Sequence, residues 1–166
     1  MTGEPQWLDE QEMQAWLRLL RVVMLLPGAL DRQLRQDAGL THASYMVLAC
    51  LSGAPERSMR MSELARVTAT SQSRLSHAVA GLEQRGWVQR RPCPQDGRGQ
   101  IATLTDDGVQ VLVDTAPGHA AKVRSLVFDP LSPSDVEHLS AVAERLVTQL
   151  EADQTSGAAG AGSSST

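Results

Sequence analysis

Between residues 9 and 36 apolar side chains recur at helical spacing: Met13, Leu17, Leu20 and Met24, then Leu30 and Leu34. Positions three and four apart share one helix face, so this stretch is expected to form one long amphipathic helix, kinked near Pro27-Gly28 and ended by Gly39. Thr41 or Ser44 opens a second helix through Tyr45, Val47, Leu48 and Leu51, closed by Gly53-Ala54-Pro55. An Arg-rich polar loop follows. Ser62 is the expected N-cap of a short helix holding Leu64, Ala65 and Val67. Thr70 or Ser71 caps another helix, which runs to about Arg85 and stops at Gly86. A turn centred on Thr68-Ala69 separates the two, the pattern of a helix-turn-helix.

After Gly86 the apolar period changes from 3.6 to 2. Residues 87–91 and 100–104 read as two strands joined by a breaker-rich loop, residues 92–99. Thr105 then caps a helix whose first turn carries Asp106 and Asp107, favourable charges at the positive end of its dipole. Pro117-Gly118 is expected to interrupt or kink that helix before Val123, Leu126 and Val127 resume the pattern. Ser132-Pro133 opens a last helix with Val136, Leu139, Val142, Leu146 and Leu150 on one face. The end of the chain, rich in Ser, Gly and Ala, is expected to be disordered from residue 153 on.

The resulting fold class is mainly α with a small β-hairpin wing: a winged helix-turn-helix with long N- and C-terminal helices. Its expected parts are a flexible N-terminus (1–8), a long N-terminal helix (9–40), a winged helix-turn-helix lobe (41–105), C-terminal helices (106–152) and the tail (153–166). At 166 residues, 42% of them apolar, one compact core is affordable. The longest unbroken apolar run, residues 22–30, is far short of the roughly 20 residues that cross a bilayer, so no membrane partner is expected. The acidic N-terminus lacks the basic start of a secretory signal, and a cytoplasmic location is expected.

The net charge of -4 hides an asymmetry. Residues 57–98 hold eight Arg against three acids, while the segments before and after are acidic. Such an island can bind phosphate whatever the total charge, although a merely solvated face has the same signature. On the second helix of the motif Leu75, Ala78, Val79 and Leu82 share the side that must face the core. Opposite them stand Ser73, His77, Ala80 and Gln84, flanked by Thr70, Arg74, Ser76 and Gly81, and Gln72, Ser73, Arg74 and His77 are short or polar side chains of the kind that reach base edges from a helix in the major groove. Arg90, Arg91 and Arg98 on the hairpin would lie beside the adjacent groove, and Asp96 can orient the Arg98 guanidinium.

Met61-Ser62-Glu63-Leu64-Ala65, Ser73-Arg74-Leu75-Ser76, the junction Leu82-Glu83-Gln84-Arg85-Gly86-Trp87-Val88, Asp96-Gly97-Arg98, and Leu104-Thr105-Asp106-Asp107-Gly108 follow one another in order. That succession resembles the MarR (multiple antibiotic resistance regulator) family of bacterial transcription factors over roughly residues 10–152. The resemblance implies a homodimeric regulator of double-stranded DNA, acting as a repressor at pseudo-palindromic operators. It implies base and phosphate contacts by Gln72, Ser73, Arg74 and His77, a minor-groove contact by Arg98, and an orienting role for Asp96. Small aromatic effectors are a further implication, with Trp16, His42 and Tyr45 as the expected crevice. Pro27-Gly28 and the Pro-Cys-Pro of the wing depart from the family pattern.

No enzyme and no cofactor are expected: the four histidines lack a ligand spacing, and neither a nucleophile elbow nor a phosphate-cradling glycine loop is present. Two alternatives remain open on the residues alone. One is a winged helix that docks protein instead of DNA. The other is a redox sensor using Cys93, whose arginine neighbours favour the thiolate and its oxidation.

Overall fold

The computed structural model describes residues 6–94 and 96–160, excluding the side chains of residues 96–98 and 154–160. It divides into two compact units, Met1–Lys122 and Val123–Thr166.

The first unit opens with α1, Glu10–Ala38. Asp9 caps it: its carboxylate accepts from the Glu12 N–H at 2.8 Å, and the Glu12 carboxylate accepts from the Asp9 N–H at 2.9 Å. These reciprocal bonds satisfy two N–H groups that a helix start otherwise leaves unpaired. The helix runs continuously through Pro27 and ends at Gly39, whose φ of 62° is the left-handed conformation that favours glycine. Thr41 then caps α2, His42–Ser52, by accepting from the Ser44 N–H. A three-residue strand, β1 (Ser58–Arg60), follows in the region expected to be loop. It hands the chain directly to α3, Met61–Val67, so Arg60 occupies the N-cap position expected for Ser62. Ser71 caps α4, Gln72–Gln84, completing the helix-turn-helix.

The wing arms are longer than the period-2 pattern implied. β2 spans Val88–Cys93 and β3 spans Asp96–Leu104, which moves most of the expected eight-residue loop into the sheet. Sheet order is β1-β3-β2, both pairings antiparallel. This leaves β2 at an edge, where Pro92 costs no interior ladder bond. The register shifts between Pro92 and Cys93.

The core of this unit joins Leu34 and Leu40 to Val47, Leu48 and Leu51 of α2, Leu64 of α3, Leu75, Val79 and Leu82 of α4, and Val88, Ala102 and Leu104 of the sheet. α5, Asp106–Val123, continues through Pro117 without the expected interruption. Thr105 opens it, accepting from the Gly108 N–H while its hydroxyl donates to the Gly86 carbonyl at 2.8 Å. A Cβ at Gly108 would stand 2.2 Å from the Trp87 carbonyl oxygen, so only glycine permits this close passage of α5 over the strand start.

In the second unit a π-helical turn, Arg124–Phe128, precedes α6, Pro133–Gly160. Proline at the first helical position needs no N–H partner. The Ser132 hydroxyl accepts from the Asp135 N–H, and the Asp135 carboxylate accepts from the Ser132 N–H at 3.0 Å. The α6 backbone extends past residue 153, where the low-complexity composition predicts disorder. Helix-forming Ala and Gln positions in that stretch are compatible with continuation.

α1 is long enough, and one stretch of it apolar enough, to cross a bilayer by length and composition alone. Counting unbroken apolar residues understated this, because scattered polar residues break runs without much lowering the average.

Candidate nucleic-acid interface

Burial divides α4 into two faces. Leu75, Val79 and Leu82 are 0–1% exposed, which holds the helix in place. Gln72, Ser73, Arg74, Ser76 and His77 are exposed on the other side. The Ser71 hydroxyl accepts from the Arg74 N–H at 3.3 Å and starts the helix just before this polar run. Among the described residues the Arg74 guanidinium has no hydrogen-bond or ion-pair partner. A surface cleft of about 480 Å³ lies between this face and the neighbouring elements, lined by Ser62, Gln72, Ser73, Ser76, Arg90 and Gln100 among others. Four of the expected contact residues, Gln72, Ser73, Arg74 and His77, are thus all exposed to solvent on α4.

The rest of the basic island is partly committed within the protein. Arg57 pairs with Asp106 at 2.7 Å. Arg85 donates to the Gly39 carbonyl at 3.2 Å, and its guanidinium lies 4.8 Å from the centre of the Trp87 ring. Arg90 is held by Glu83, whose carboxylate accepts from the Arg90 backbone N–H at 2.9 Å and from its Nε at 2.6 Å. Arg91 stays exposed and donates to the Thr103 hydroxyl at 3.2 Å. The side chains of Asp96 and Arg98 lie outside the described residues; their backbone belongs to β3. Cys93 is a free thiol only 4% exposed, which limits the access of dissolved oxidants to its sulfur and lends the redox-sensor alternative no support.

The expected effector crevice is only partly assembled. His42 and Tyr45 converge, but on His119 of α5: ring centroids are 5.9 Å apart for His42 and His119, and 4.3 Å apart for Tyr45 and His119. His119 Nδ1 lies 3.2 Å from the side-chain oxygen Oε1 of Gln33, and Gln33 Nε2 donates to the Asp37 carboxylate at 2.8 Å. Burial pushes the His42 pKa below its usual value, against the pull of the Asp31 carboxylate. His119 is lowered by burial first and by the neighbouring His42 second. Burial raises Tyr45, and the Arg35 hydrogen bond, followed by the His42 backbone N–H, lowers Asp31. Trp16 is not part of this cluster. It lies seventeen positions before Gln33 along α1, about 25 Å at the helical rise, and it is half exposed. His119 and Gln33, 86 positions apart, gave no sequence signal that they would meet.

A family model described as the MarR family matches residues 38–99, the segment from the end of α1 into the wing. The chain is also similar over nearly its whole length to Sco3205, a MarR family transcriptional regulator from Streptomyces coelicolor solved in complex with DNA. Identity is 46%, coverage 90% of this chain and 93% of that one, and the TM-score 0.84. The chain belongs to the MarR family. A second MarR family regulator from the same organism, AbsC, is 37% identical over 89% of this chain and 99% of its own, with a TM-score of 0.81. Among curated relatives, the transcriptional regulator PecS of Dickeya dadantii (strain 3937) is 29% identical over 145 residues, 86% of each protein. MarR membership accounts for the winged helix-turn-helix, and it places this chain among transcriptional regulators.

Proposed function

We propose that the protein is a sequence-specific repressor that binds double-stranded DNA as a homodimer and acts by occupying its operator, without chemistry on any substrate. The observation that carries this reading is the α4 surface: Gln72, Ser73, Arg74 and His77 project outward from a helix whose other side is fixed in the core. Such a face can approach base edges without any loss of packing. The DNA complex of Sco3205, at 46% identity, supports the same use of the fold. Arg91 and Arg98 would add phosphate or minor-groove contacts from the wing, with Asp96 orienting Arg98.

Exposed apolar residues support the dimer. α1 leaves Trp16, Leu17, Val23, Met24 and Leu25 at least half exposed, and α6 exposes Leu139, Val142, Leu146 and Leu150. A second copy would remove this surface from water. Twofold symmetry then calls for two half-sites about 10 base pairs apart. Such a regulator works in the cytoplasm, where its operator lies. A small aromatic effector would meet His42 and Tyr45, but not Trp16 of the same protomer.

The test is selection of a duplex from a randomised pool by the wild-type protein, followed by titration of variants. Arg74→Ala and Arg98→Ala should each weaken binding by about 1–3 kcal/mol. Wild-type affinity in both would contradict the reading, and failure to retain any duplex at low salt would favour the protein-docking winged helix.

A further inference from the structure

The Glu83 carboxylate that holds Arg90 makes a multiply bonded polar link between α4 and the wing. Glu83 lies in the last turn of α4, and Arg90 is the third residue of β2. Only residues 85–87 and the two element ends separate them, with Gly86 at a φ of 74° acting as the corner. One carboxylate oxygen accepts from the Arg90 backbone N–H at 2.9 Å. The other accepts from Arg90 Nε at 2.6 Å and also pairs with a terminal nitrogen of the same guanidinium. The remaining terminal nitrogen reaches the Ser76 hydroxyl at 3.5 Å, two turns back along α4.

Arg90 therefore lies along the helix from Glu83 to Ser76. β2 is an edge strand, so N–H groups turned away from β3 have no ladder partner, and Glu83 supplies one. Both side chains are only about a quarter exposed (25% and 27%), where a multiply bonded carboxylate–guanidinium pair is geometrically strict and less screened than a surface pair.

We propose that Glu83 is a positioning residue for DNA binding: through Arg90 it fixes the wing against the recognition helix, so that Arg90 serves as a strut and not as a phosphate contact. The proposal rests on the DNA-binding reading above. Arg91 and Arg98 sit on the strands that the strut orients, so loss of the strut lets those cations drift from the groove. The pairing also cancels charge: the Glu83 carboxylate no longer repels phosphate, and the Arg90 cation displaces few counterions.

Simple charge counting makes the opposite forecast. It holds that Glu83→Gln, which removes a negative charge near DNA, tightens binding. The strut requires that it weaken binding, by roughly tenfold, the size expected for losing a charge-assisted hydrogen bond.

The experiment measures affinity against salt for wild type, Glu83→Gln, Arg90→Met and the double variant, on the duplex that wild type selects from a random pool. The expected result is weakening by Glu83→Gln, weakening by Arg90→Met with an unchanged salt slope, and a double variant no weaker than either single one. Tighter or equal binding by Glu83→Gln overturns the proposal. So does a salt slope that shrinks by about 0.9 in Arg90→Met, the mark of one lost phosphate contact. Should Glu83→Gln melt before it can be assayed, the Arg90→Met slope decides alone. If wild type selects no duplex, the DNA-binding reading falls and the strut with it; if wild type binds and only the variants behave otherwise, the strut alone is wrong.

Discussion

α4 and α1 are both amphipathic, but they complete their apolar faces in different ways. In α4, of 13 residues, Leu75, Val79 and Leu82 are almost wholly buried inside their own unit. In α1, of 29 residues, only Leu30, Gln33 and Leu34 near the C-terminal end are buried, and most of the apolar positions before them are exposed. One helix is finished by its own chain and free to spend its polar face on a ligand. The other carries more apolar surface than its chain covers, which calls for a second copy. In the proposed function, reading falls to α4 and assembly to α1, and damage to either should have a different signature.

The largest effect expected is on assembly. Leu17→Glu puts a charge into the exposed apolar face of α1, and should separate the dimer in sedimentation. Operator affinity should fall by roughly a hundredfold or more as the two reading heads lose their mutual effective concentration. A dimeric Leu17→Glu protein with normal binding would break the division of labour proposed for the two helices. Leu75→Ala attacks the other helix from beneath. Truncating a fully buried leucine should lower unfolding free energy by about 2–5 kcal/mol in a denaturant titration, and a near-zero cost would mean that α4 is not anchored as described.

The smallest effect concerns pH, at the junction of α1, α2 and α5. His42 and His119 have folded pKa values below 6.5, so the folded chain binds fewer protons than the unfolded chain as pH falls below that value. Their contribution is neutral above 6.5 and destabilising as pH drops through the folded values. Asp31, lowered from 3.8, stabilises above that value and loses its contribution only in stronger acid. Unfolding followed at pH 7.5 and 5.5 should therefore show a less stable protein at 5.5, with the difference reduced in His119→Asn. Equal stability of wild type at the two values would mean that these rings are hydrated enough to charge freely.

Local chemistry made much of this legible from residue order. Gly39, Thr41, Ser71, Thr105 and Ser132-Pro133 are helix punctuation whose physics acts within four residues, and each stands at a helix boundary. The α4 outer face followed from helical period alone. What escaped depends on distant partners. β1 is three residues long, too short to alternate visibly, and exists because Ser58 pairs with Thr103. Pro117 lies within a helix because the surrounding turns outweigh one missing hydrogen bond. Cys93 stands among arginines in the sequence, yet at the end of β2 it is buried. The His119–Gln33 contact joins residues 86 positions apart whose approach no local pattern encodes.

The most direct test is a titration of the selected duplex with wild-type protein across a series of salt concentrations. Two chains per duplex and a log–log salt slope of roughly −5 or steeper are expected, since each neutralised phosphate contributes about −0.9. One chain per duplex, or an affinity indifferent to salt, would contradict a paired cationic reading head.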